Sequence, residues 1–165
     1  MNLVVGATGM VGSEICRLLA VNNSPIRAIV RETSDDEKVK KISELGVQIV
    51  KGNLRDKASL TTALQGVTKV ISTTSSMPFS YIAGENDIEK VDLEGMKNLI
   101  DVAKSAGVKH FIYTSFSGQL DLDFPLRNAK RSVEKYLIDS GMDYTILRPS
   151  CFMEVWLSAA VGFDA

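Results

Sequence analysis

Residues 3–12 read Leu3-Val4-Val5-Gly6-Ala7-Thr8-Gly9-Met10-Val11-Gly12, and this stretch decides the fold. A short apolar strand runs straight into glycines, and a helical pattern starts at once through Ile15, Leu18 and Leu19. The spacing G-x-x-G-x-x-G between strand and helix suits a dinucleotide. One glycine makes the tight turn, one lets backbone approach a pyrophosphate, and one lets helix and strand pack closely. Phosphates placed there would face free N–H groups at the positive end of the helix dipole. A glycine-rich loop without a ligand is the competing reading, and the strand–turn–helix context weighs against it.

Downstream, strand and helix patterns alternate. Strands are predicted over residues 26–30, 47–50, 67–73, 108–114 and 144–147, and helices over 37–45, 56–64, 86–106 and 125–140. Gly46, Gly66 and Gly107 stand as helix stops. This rhythm with short connections and right-handed crossovers predicts an α/β fold, a doubly wound parallel sheet in the order 3-2-1-4-5-6 with helices on both faces. Residues 1–150 form the expected dinucleotide-binding domain. Residues 151–165 read as the start of a truncated substrate-binding region, since the apolar tail from Phe152 to Leu157 has little left to cover it. That tail offers a surface to a protein partner or a second copy of the chain.

The 165 residues suffice for one domain burying about 70% of its unfolded surface. A net charge of −1 gives no electrostatic support to a nucleic-acid partner. The two cysteines, Cys16 and Cys151, fit a reducing compartment without a disulfide framework. No run of about 18 apolar residues exists for a membrane span, and no leader pattern precedes Gly6, so a cytoplasmic, soluble protein is expected. No His, Cys or carboxylate cluster has metal-ligand spacing.

Ligands of such sheets bind beyond the carboxyl ends of the strands, near the switch between the first and fourth. Arg31 closes the second strand, about 20 residues past the glycine turn, where an NAD-selective site places an acid on the ribose 2′-OH. A guanidinium there suits a 2′-phosphate instead; the alternative is a solvated arginine. NADP(H) is favoured, and adjacent Glu32 leaves NAD(H) open. Asn53 and Leu54 close the third strand, at the adenine edge or in a plain turn. Thr73, Thr74 and Ser75 close the fourth, where small residues let backbone pass close to the cofactor, unless they form only a polar loop. Thr114 and Ser115 close the fifth, within reach of a nicotinamide; the Ser115 hydroxyl either holds a carbonyl substrate or caps the strand end.

Lys130 interrupts an apolar stripe. Leu126, Lys130, Val133 and Leu137 recur at helical spacing, and a buried unpaired ammonium is costly. Either the stem snorkels past the helix end, or the head reaches a partner at the cleft such as a ribose diol.

These residues resemble the NmrA-like family of atypical short-chain dehydrogenases/reductases. The likeness covers essentially the whole chain. It rests on the stretch from Val4 to Gly12, on Ala28-Ile29-Val30-Arg31, Gly52-Asn53-Leu54-Arg55-Asp56, His110-Phe111-Ile112-Tyr113-Thr114-Ser115, and the stretch from Tyr144 to Glu154. The resemblance implies a Rossmann domain binding NADP(H) through Gly6, Thr8, Gly9, Met10, Val11 and Gly12. It implies that Lys130 touches the nicotinamide ribose and that the loop with Pro149, Cys151 and Phe152 lies near the carboxamide. Lys130 and Ser115 are the candidate catalytic residues.

Two departures stand out: Leu126 occupies the position of the tyrosine in Tyr-x-x-x-Lys, and Asn53 stands where aspartate is more usual. Full members continue past position 165 into a substrate lobe. The expected function is an NADP(H)-binding oxidoreductase acting on a small carbonyl or quinone. The alternatives are a non-catalytic NADP redox sensor regulating a protein partner and, more weakly, an extended-type sugar epimerase.

Overall fold

Each parallel pairing in this chain follows from a helix that carries the strand end back to the starting edge. The computed structural model describes residues 1–76, 84, 87–119, 123–150 and 152–156. Its strands are β1 (Asn2–Val5), β2 (Ile26–Val30), β3 (Gln48–Lys51), β4 (Lys69–Ser72), β5 (His110–Thr114) and β6 (Tyr144–Leu147). They form one parallel sheet in the order β3-β2-β1-β4-β5-β6, as the sequence rhythm predicts. The helices are α1 (Met10–Val21), α2 (Asp36–Ser43), α3 (Lys57–Ala63), α4 (Met96–Ser105), α5 (Pro125–Asp139) and the short α6 (Met153–Trp156). Asp35 and Asp56 cap α2 and α3, accepting from the N–H groups of Lys38 and Ala58 at 2.9 Å each.

Alternation along the strands divides the core between the two faces. Leu3, Val5, Val70, Phe111 and Tyr113 pack against α3, α4 and α5, through Leu60, Leu99, Val133 and Leu137. Val4, Ala28 and Val30 pack on the other face with Cys16 and Ile42. Burial pushes the Cys16 thiol up to about 11, consistent with a small core residue.

Two predicted strands start late. Val67 and Val108 are buried but lie in turns, their N–H groups donating to Leu64 (3.1 Å) and Ala103 (3.0 Å). Their apolarity serves the core without the sheet ladder. The long helix predicted from Asn86, a residue outside those described, is divided. Ile88–Gly95 is π-helical and runs directly into α4, which ends before Gly107 at φ +73°. Among the described residues no helix is long and apolar enough to cross a membrane, and no group of three His, Cys, Asp or Glu residues is placed to hold a metal.

Candidate functional site

β1 lies between β2 and β4, and the chain leaves it in opposite directions on the two sides, opening a crevice above Val5 and Ser72. The glycine turn forms its floor. Gly6 has φ +86°, and a Cβ there would lie 2.8 Å from Thr73 Oγ1. A Cβ at Gly12 would lie 2.1 Å from the Gly6 carbonyl oxygen, so only glycine lets α1 pack this close to the turn. Gly9 opens α1 with no side-chain cap, and the first-turn N–H groups have no side-chain acceptor among the described residues. The cradle therefore fits a dinucleotide by its backbone: a side chain would fill it, and its donors face outward from a helix N-terminus.

The cleft above this floor has a volume of ≈ 590 Å³. Gly6, Thr8 and Gly9 line one wall, and Thr73, Thr74, Ser75 and Ser76 the other. Arg31, Asn53 and Leu54 close the β2–β3 end, where a second hollow of ≈ 440 Å³ continues over Arg31, Lys51, Asn53 and Arg55. Arg31 is exposed, and its guanidinium makes no hydrogen bond or ion pair with another described residue. Asn53 Oδ1 accepts from the Arg55 N–H at 3.0 Å, so this side chain shapes the turn as well as the cleft edge. Leu54 also belongs to the core; a Cβ at Gly95 would stand 2.8 Å from its own. The Thr73 N–H bonds Val5 O at 2.9 Å, carrying the β4 wall over the glycine floor.

The remaining expected residues fall elsewhere. Met10, Val11 and Gly12 sit in the first turn of α1 behind the floor. Thr114 ends β5 and Ser115 follows it, Pro149 follows β6, and Lys130 stands on α5; none of the four lines the cleft. Phe152 is half-buried beside α6, and Cys151 and the tail from 157 onward lie outside the described residues.

Lys130 is 3% exposed, and its head is already partnered. Nζ donates to Thr74 O at 2.7 Å, lies 3.1 Å from Asp92 Oδ1, and sits 5.3 Å from the centre of the Tyr113 ring. Burial pushes this ammonium below the ordinary lysine value, against the pull of Asp92. Burial likewise raises the Tyr113 hydroxyl, which has no hydrogen-bond partner among the described residues.

A second charged group lies one helical turn on. Glu134 Oε1 accepts from Arg131 at 2.6 Å and from Arg148 Nε at 3.0 Å, while Oε2 takes Arg148 Nη2 at 2.5 Å. Arg131 reaches on to the carbonyls of Phe116 and Ser117. Burial alone would raise the Glu134 carboxyl, but the hydrogen bonds from Arg148 and the charges of Arg131 and Arg148 outweigh it and hold the group below its ordinary value.

Sequence reasoning passed over Asp92, Glu134, Arg148 and Lys38, the last of which lines the cleft near Arg31. The stripe that exposed Lys130 also carries Glu134 four residues on, and Asp92 stands four past the apolar Ile88.

Comparison with known proteins agrees with this architecture. The chain is 35% identical over 156 residues to the NAD(P)H azoreductase of Xenophilus azovorans, covering 93% of this chain and 49% of that protein. It superposes on the NADPH-dependent quinone oxidoreductase of Escherichia coli, solved with NADPH, at a TM-score of 0.76 and 31% identity over 97% of this chain and 52% of that one. The triphenylmethane reductase of Citrobacter sp., solved with NADP(H), gives a TM-score of 0.77 at 26% identity over 98% of this chain and 53% of that one. The chain thus spans about half the length of the relatives it matches. The model of the NmrA-like family matches residues 2–163, and with this sheet order, glycine cradle and cleft the chain belongs to that family.

Proposed function

We propose that this chain binds NADP(H) and serves an oxidoreductase that reduces a small carbonyl or quinone-type substrate. One observation carries the reading: a side-chain-free glycine cradle lines the same cleft as the Arg31 guanidinium, which has no partner among the described residues. The cradle holds the pyrophosphate on backbone N–H groups, and Arg31 meets the 2′-phosphate through charge-assisted bonds. Lys38, one turn into α2 on the same cleft, adds a second cation beside it. The E. coli and Citrobacter structures, each solved with NADPH or NADP(H), support the choice of cofactor, and the names of the azoreductase and quinone oxidoreductase relatives support the substrate class.

The bound cofactor would supply the hydride; the chain's own residues bind it, orient it and keep water from one face. Neither Lys130, held by Asp92, nor Leu126, buried where a tyrosine donor would stand, offers a proton at the cleft. Protonation of product then falls to water or to a group outside these residues. The same two residues favour a second reading, a sensor that binds NADP(H) without turnover. Calorimetry of the chain against NADPH, NADP+, NADH and NAD+ tests the first claim; the expected order places both phosphorylated forms well ahead. NADPH oxidation with a panel of quinones separates enzyme from sensor, since a rate equal to the blank alongside tight binding leaves only the sensor.

A further inference from the structure

Asp92 is fully buried on the π-helical segment and holds two different things with its two oxygens. Oδ2 accepts both the Ser76 N–H at 2.9 Å and the Ser76 hydroxyl at 2.5 Å. Oδ1 lies 3.1 Å from Lys130 Nζ, whose own hydrogen bond goes to Thr74 O at 2.7 Å. Residues 74–76 are the β4 wall of the cleft, so that wall is gripped from behind at both ends by one buried ion pair. We infer that Asp92 is a positioning residue for the nicotinamide half of the cofactor: it sets the cleft wall at 74–76 and keeps the Lys130 head behind that wall.

This inference rests on the NADP(H) reading. Arg31 places the adenosine half over β2 and β3, so the other half lies over β4 and β5, against the Asp92-held wall. A buried carboxylate is retained there at a desolvation cost, and its removal leaves the Lys130 ammonium without a counter-charge. The wall then loses its grip from behind, while the glycine floor and Arg31, which depend on neither group, keep theirs.

The test is a pair of titrations on the chain, one with NADPH and one with 2′,5′-ADP, which carries the 2′-phosphate and adenosine but no nicotinamide. Asp92→Asn is expected to weaken NADPH by about tenfold or more. It should change 2′,5′-ADP by less than about twofold, because the phosphate contacts to Arg31 remain. Ser76→Ala removes one hydroxyl bond and leaves the ion pair, so it tests the wall even if Asp92→Asn folds poorly. Its expected effect is a loss of about threefold for NADPH alone. Equal losses for both ligands would mean a general structural role and overturn the inference, as would no loss for either. If the unaltered chain binds 2′,5′-ADP but gains nothing from the nicotinamide half, the inference fails and the cofactor reading stands. If it binds neither ligand, both fall together.

Discussion

On the β1–β3 side of the cleft, shape comes from backbone and apolar packing: a left-handed Gly6, a Gly12 without room for a Cβ, and a buried set of Val4, Ala7, Cys16, Ala28 and Val30. On the β4–β6 side it comes from charge. Among the described residues, every buried polar or charged side chain, namely Ser72, Asp92, Ser115, Ser117, Lys130 and Glu134, lies at β4 or beyond. The first half is set by conformations that only certain residues can adopt, and solution conditions hardly touch it. The second is set by compensated charges, which depend on protonation and on each partner staying in place.

This contrast is tested most severely at Gly12. Gly12→Ala places a carbon 2.1 Å from the Gly6 carbonyl oxygen. A loss of about 3 kcal/mol in stability is expected, together with loss of NADPH binding. Thermal unfolding and calorimetry read both, and an unaltered melting point would show the floor to be more yielding than its geometry implies.

Next is Glu134→Ala, which strands Arg131 and Arg148 and frees the loops after β5 and β6. About 2–3 kcal/mol should be lost in urea denaturation. The same carboxyl gives the β4–β6 side a pH dependence. Its folded pKa lies below the ordinary glutamate value, so its contribution is full above the unfolded pKa and disappears as pH falls through the folded one. Stability should therefore decline on acidification below the usual glutamate range. In Glu134→Gln that part of the decline should be missing, and parallel profiles would remove Glu134 as its source.

Arg31→Asp comes third and acts on binding alone. Loss of a charge-assisted pair worth about 1.5–3 kcal/mol weakens NADP(H) by an order of magnitude or more and leaves NAD(H) nearly as it was. Equal affinities before and after would withdraw the 2′-phosphate from Arg31. The smallest effect belongs to the exposed Lys135–Asp139 pair on α5, 2.9 Å apart. Lys135→Ala should leave the unfolding midpoint where it is, because solvent screens such a pair almost completely.

Much of the β1–β3 side was legible in the sequence, because its devices are local. Gly6, Gly9 and Gly12 act within one turn, and Arg31 is placed by a fixed count from them. The β4–β6 side was harder to read because its partners are far apart along the chain. Lys130 showed itself as a charge on an apolar stripe, but its partners Asp92 and Thr74 come from other elements, brought close only by sheet order. Of the alternatives for its head, a snorkelling stem or a partner at the cleft, the structure shows the second in part, through Thr74 O of the cleft wall, and adds the buried counter-ion Asp92. Strand limits at Val67 and Val108 were misplaced for a related reason, since burial in a turn and burial in a strand leave the same apolar mark.

The π-helical stretch between Ile88 and Gly95 has a consequence for chain length. Its wider coil carries more residues over the same climb than an α-helix needs. Removing one residue between Asp92 and Met96 would let the stretch close as regular α-helix, so the usual penalty of a helix deletion would be small. Phase would largely be kept, because the wide turn absorbs the extra residue and its loss returns the residues before it to nearly the same angle relative to α4. Met96, Leu99 and Ile100 would keep their places in the core, and Asp92 would stay near the face it shares with Lys130. The extra width of the coil is slack: a place where this helix can lose a residue without re-aiming the buried Asp92.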